Sequence, residues 1–91
     1  MNETTTSTAS ALRWFWGWNP HTKKIEDARE FLNSLTKVRE ILIEAMGYHS
    51  LRSEVEFRLC SWGWFKKYEL APSLREFYKY INWEMDKILP K

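Results

Sequence analysis

The residues that carry covalent and metal chemistry are scarce in this chain. It has one cysteine, Cys60, two histidines, His21 and His49, three glycines and three prolines. A single cysteine excludes an intramolecular disulfide and any multi-cysteine zinc site, and it fits a reducing, intracellular and cytoplasmic setting. So few glycines leave no Gly-rich phosphate loop, and no His pair or Asp-x-Asp spacing supports a metal or cofactor. Charge of one sign is scarce as well. Fourteen Lys and Arg against twelve Asp and Glu give a net charge of +2, a weaker field than a strongly basic nucleic-acid binder carries. No apolar run approaches the length needed to span a bilayer. Residues 1–10 are polar, without the basic start and apolar run of a secretory signal, and read as a disordered tail ahead of a single domain over residues 11–91.

Aromatics are what the chain has in abundance: six Trp, four Tyr and five Phe in 91 residues. Trp16-Gly17-Trp18 returns as Trp62-Gly63-Trp64 after 46 positions, and Arg29-Glu30-Phe31 returns at the same offset as Arg75-Glu76-Phe77. Two triplets in register suggest a 46-residue helical unit present twice, too few copies for a stacked solenoid. Beyond the triplets only Ser7 and Ser53 agree at that offset, so coincidence in an aromatic-rich chain stands beside duplication.

From about Thr22, Ala28, Phe31, Leu32, Leu35, Val38, Leu42, Ala45 and Met46 recur at helical steps and form one apolar stripe. Gly47 is placed to end that helix. Arg39 falls on the apolar side and is expected to snorkel at its edge. Residues 54–70 allow two readings. A helix aligns Leu51, Val55, Leu59 and Trp62 in one stripe and Phe57, Trp64 and Tyr68 in another. A β-hairpin instead uses the alternation of residues 54–59 and a turn at Gly63. Little β-branched character favours the helix, although Gly63 in a helix interior costs about 1 kcal/mol relative to Ala. After Pro72, Ser73 and Glu76 form a capping-box pattern, and Leu74, Phe77, Tyr78, Ile81, Met85, Ile88 and Leu89 line the face of a last helix. The fold expected is all-α: a three-helix bundle with the Trp-rich N-terminal segment packed across it, the alternative being α+β with the hairpin between two helices.

No catalytic constellation can be assembled. A Cys60–His49 nucleophile pair can be written from composition, but Cys60 sits among Leu59, Trp62 and Trp64, where an inert thiol is expected. Exposed aromatics carry more signal. On the last helix Trp83 falls about 160–180° from the middle of the apolar stripe, among charged residues, with Tyr80 between the two faces. Either Trp83 meets a partner, since Trp, Tyr and Arg concentrate binding energy, or the N-terminal Trp segment covers it. The leading expectation is a non-catalytic protein-interaction module. Its partner-binding residues are Trp83 and Tyr80, with Trp14, Phe15, Trp16 and Trp18 from the strap and Arg75, Lys79 and Asp86 at the rim. The alternative is a small single-stranded nucleic-acid binder using Lys66, Lys67 and Tyr68, extended by Arg75 and Lys79. Residues 12–18 also resemble an interfacial membrane anchor, but the segment is too short and too weakly basic to act alone. Self-association across a two-fold axis fits exposed tryptophans on a pseudo-symmetric body.

Overall fold

The computed structural model of the chain describes residues 7–90. Among them there is no strand. Helix α1 runs over Thr8–Trp16, α2 over Ala28–Met46, α3 over Tyr48–Trp62, α4 over Trp64–Lys67 and α5 over Leu74–Ile88, with a 3-10 turn at Ile25–Asp27 before α2. The chain is therefore all-α with bundle packing, and residues 54–62 lie within α3 rather than in a hairpin. The disordered-tail expectation for residues 1–6 falls outside the described residues, while Thr8, Ala9 and Ser10 are helical. Their helix starts there because the Ser7 hydroxyl accepts the Ser10 amide at 3.1 Å, satisfying one of the free donors of the first turn.

The centre of the fold is the α2–α3 pair. Only Gly47 separates them; at φ +92° it takes a conformation that a side chain resists, and its carbonyl accepts the Leu51 amide of the first turn of α3. Helix α1 packs on α2, whereas α5 packs on α3 and α2 and is joined by the single turn α4. Phe15, Phe31, Leu35, Leu42, Leu51, Leu59, Trp64 and Met85 are buried in one contiguous core. The apolar stripes predicted for α2 and α5 are the faces that meet there, apart from Ala45, Leu74 and Tyr78, which stay exposed.

Polar side chains secure the ends of α5. The Ser73 hydroxyl accepts the Glu76 amide at 3.2 Å, but the return bond from the Glu76 carboxylate is not formed among the described residues, so the box is half made. At the other end, Arg39 Nη1 donates to the Ile88 carbonyl at 3.0 Å and the Tyr48 hydroxyl to the Leu89 carbonyl at 2.6 Å. Cationic and hydroxyl donors suit the negative end of a helix dipole. Arg39 thus carries its stem along the apolar stripe, as expected, and uses its head to cap a neighbouring helix.

The strap is held by a residue that periodicity does not mark. Arg58, on α3, is only 3% exposed. Its Nε donates to the Trp18 carbonyl at 2.9 Å, and its Nη1 to the Glu54 carbonyl and carboxylate at 2.9 and 2.8 Å. The guanidinium also lies 4.3 Å from the Phe15 ring centroid and 5.2 Å from that of Trp16. A buried cation is tolerable only with such partners, and here they tie the end of α1 to α3.

Candidate functional site

Gly63 divides the aromatics into two groups. At φ +61° it occupies the left-handed region, and its amide donates to the Cys60 and Leu59 carbonyls, closing α3. The chain then restarts as α4 in a new register. Trp62 consequently joins Trp14, Phe15, Trp16, Trp18 and Phe31 around the strap. Trp64 joins Phe65, Tyr68, Tyr80 and Trp83 beside α5. The outer stripe of Phe57, Trp64 and Tyr68 that an unbroken helix predicts is therefore not formed. Phe57 and Tyr68 are exposed, but Trp64 is buried, with the Arg29 guanidinium 4.7 Å from its ring centroid.

The first group is mostly interior. Phe15 is 0% and Trp18 8% exposed, so neither can meet a partner without α1 lifting away, and both leave the candidate surface. Four aromatics within five positions of a helix and its exit cannot share one side; Phe15 points into the core and Trp18 closes over Phe31 at 5.3 Å. Trp14 is half-buried and stacked on Phe31, at 5.7 Å and 16°. Trp16 alone is open to solvent. A groove of about 350 Å³ lies beside Trp14, between α1 and α2, with Lys37 at its lining, near the low end of the range for small-molecule sites.

The second group has a different character. Trp83 is 53% exposed. Its ring meets Tyr80 edge-on at 6.5 Å and 69°, and Lys87 Nζ lies 4.3 Å from its centroid. Both neighbours come from α5 itself, four or fewer residues away, so the N-terminal strap is not what attends Trp83. Tyr80 is half-buried because its other contact, Phe65, stacks on it at 5.4 Å and 30°. Arg75 and Lys79 are exposed on the same helix. Asp86 is exposed but engaged, accepting from Arg52 Nη1 at 2.9 Å, and the same Arg52 nitrogen donates to the Tyr48 hydroxyl. The sequence places Lys87 on this side of α5 without marking it as a site residue. The signal for it is the four-residue spacing from Trp83, which puts an ammonium over an indole on a helix surface.

The lysines of the alternative reading are less concentrated. Lys66 is exposed, Lys67 faces Glu26 at 3.9 Å, and Tyr68 is an exposed ring set edge-on against Trp64. His49 and Cys60 sit at opposite ends of α3, about 16 Å apart at 1.5 Å per residue, so this pair forms no shared cleft. Burial, and then the nearby Glu56 carboxylate, push the Cys60 thiol above its ordinary pKa, which lowers its thiolate fraction at neutral pH. Among the described residues no cluster of His, Cys, Asp and Glu could hold a metal ion, and no helix is long and apolar enough to cross a membrane. No family model, curated protein or solved structure matches the chain.

Proposed function

We propose that this chain is a non-catalytic helical module that binds a protein partner through the outer face of α5, centred on Trp83 and Tyr80. The observation that carries this reading is that Trp83 keeps half of a large apolar ring in water while its ring and cation neighbours among the described residues belong to its own helix. An indole with so little to do in the fold is a poor use of surface unless something covers it, and buried Trp and Tyr side chains are where interface energy concentrates. Arg75, Lys79 and Asp86 form the polar rim. Trp16, from the strap, is a separate exposed aromatic and belongs to this site only if a partner spans both.

Trp83→Ala separates the binding role from a folding role. Truncating a surface side chain typically shifts stability by about 0.5 kcal/mol or less, whereas truncating a central interface residue costs about 2 kcal/mol or more of affinity. The expected outcome is an unchanged urea midpoint together with a partner affinity reduced at least tenfold, in captures from host lysate made with and without nuclease. A partner retained at full affinity by Trp83→Ala would remove Trp83 from the site. Recovery that collapses with nuclease would instead favour nucleic acid and the Lys66-Lys67 patch. A second copy of this chain as partner is checked by sedimentation at two concentrations. The cytoplasmic assignment rests on the lone cysteine.

The duplication belongs to the same reading. The helix before each Trp-Gly-Trp glycine ends at Trp16 and at Trp62, and the next long helix begins at Ala28 and at Leu74, each pair 46 residues apart. Trp18 and Trp64, Phe31 and Phe77, Leu35 and Ile81, and Leu42 and Ile88 are related by that offset, and every one of them is buried. The same offset pairs buried Ala28 and Leu32 with exposed Leu74 and Tyr78, so the matched helix ends and these four pairs support two copies of one helical unit only in part.

A further inference from the structure

Along the outer face of α5, Arg75, Lys79, Trp83 and Lys87 succeed one another at four-residue steps, about 6 Å apart along the axis, and form one exposed stripe. None of its three cations enters an ion pair among the described residues. Two acids share this side of the helix: Glu76, which is half-buried, and the exposed Asp86, which pairs with Arg52 at 2.9 Å. The three cations outnumber them, so the face carries a net positive charge although the chain as a whole is nearly balanced. From this we infer that the partner of the proposed interaction surface is an acidic protein segment with an apolar side chain among its carboxylates. Its acids would recur at about 6 Å, every fourth residue of a helix or every second of an extended strand, to face Arg75, Lys79 and Lys87, while the apolar group covers Trp83. The inference rests on the proposed binding role of this face and adds the chemistry of what is bound.

The same geometry disfavours nucleic acid as the occupant. Stacking successive bases needs ring faces that are open and roughly parallel. Tyr80 has a face taken by Phe65, and Trp83 stands at 69° to Tyr80, so the two rings offer no pair of open parallel faces. A single apolar side chain set among carboxylates needs only one such face, that of Trp83.

The test is selection of random peptides by display against the full chain, run in parallel on Trp83→Ala and on the double variant Lys79→Glu, Lys87→Glu. All three positions are exposed, and circular dichroism confirms that each variant folds. A fluorescent 15-mer oligothymidylate is titrated alongside. The expected result is a set of peptides rich in Asp and Glu with an apolar residue between them. These should lose affinity at least tenfold on either variant, and selection on the double variant should turn to Lys- and Arg-rich sequences. Peptides without acidic excess that still depend on Trp83 would overturn the acidic-partner inference and leave the binding reading standing. No selected peptides, or peptides indifferent to Trp83→Ala, would overturn both. Oligothymidylate bound more tightly than the peptides and lost in the double variant would hand the face to nucleic acid.

Discussion

Two side chains on neighbouring elements show how differently a cationic or aromatic residue can be employed. Arg58 is an interior fastener, with three hydrogen bonds and two aromatic rings around its guanidinium. Replacing it with Met keeps some of the volume but leaves the Trp18 carbonyl and Glu54 without their donor. We expect Arg58→Met to cost about 3 kcal/mol of stability, read from urea unfolding, with loosening of the strap seen as a change in tryptophan emission below the global transition. Arg58→Lys should recover only part of this, because an ammonium cannot reproduce the fork of a guanidinium. Trp83 is the opposite case, an exposed ring whose removal the fold should scarcely register. Cys60 adds a pH-dependent check. Its raised pKa means that the neutral thiol persists to higher pH than in a free cysteine, and burial slows access further. Iodoacetamide should therefore modify native Cys60 more slowly than a model thiol at pH 8, and equally fast in urea. Equal rates in the native protein would contradict the burial of this thiol. The linkage has the matching sign: protection of the neutral thiol adds stability at neutral pH that is lost as pH rises through the folded-state value.

At the scale of elements, the connections decide more than the helices do. The turn α4 closes with Leu70 N–H donating to the Phe65 carbonyl at 2.8 Å and Glu69 N–H to the Lys66 carbonyl at 3.0 Å, the paired bonds of a Schellman cap. The left-handed position of that cap is held by Glu69, at φ +60°, where glycine is the usual occupant. Glu69→Gly should consequently stabilise the protein by about 0.5 kcal/mol, the relief of backbone strain exceeding the entropy added to the unfolded chain. Gly63→Ala runs the other way. Its added methyl meets no atom within 4 Å, so the expected loss of about 1 kcal/mol comes from backbone strain alone. Paired thermal melts of the two variants check both signs. A neutral Gly63→Ala would mean that the break between α3 and α4 is not held at that residue.

At the scale of the molecule, the helices form a thin body, with Cα extents of 50 × 28 × 17 Å. A body that thin has one core and little depth behind it, so a residue such as Trp83, on the outer side of an outer helix, has no further layer to cover it. Because α1, α2, α3 and α5 all contribute to one buried cluster, no pair of them retains a complete core alone. Unfolding should be a single transition in which far-ultraviolet and near-ultraviolet circular dichroism coincide. An early near-ultraviolet step would show that the strap and its aromatics separate first.

Much of this architecture is legible in the amino-acid order. The stripes of α2 and α5, the stop at Gly47, the Ser73 cap and the outward position of Trp83 depend on neighbours three or four residues away, and helical periodicity reports such neighbours directly. The burial of Phe15 and Trp18, the transfer of Trp64 from an outer stripe to the core, the role of Arg58 and the capping of α5 by Arg39 are not legible there. Each depends on a partner in another helix, beyond the reach of helical periodicity, or on a single backbone torsion at Gly63 that reorients the residues after it. Composition and periodicity thus determined that the chain is helical, which faces of the long helices are apolar, and that its aromatics exceed what those faces need. Only the tertiary structure decided which aromatics are spent on the core and which remain in water, because that choice is made where separate helices meet.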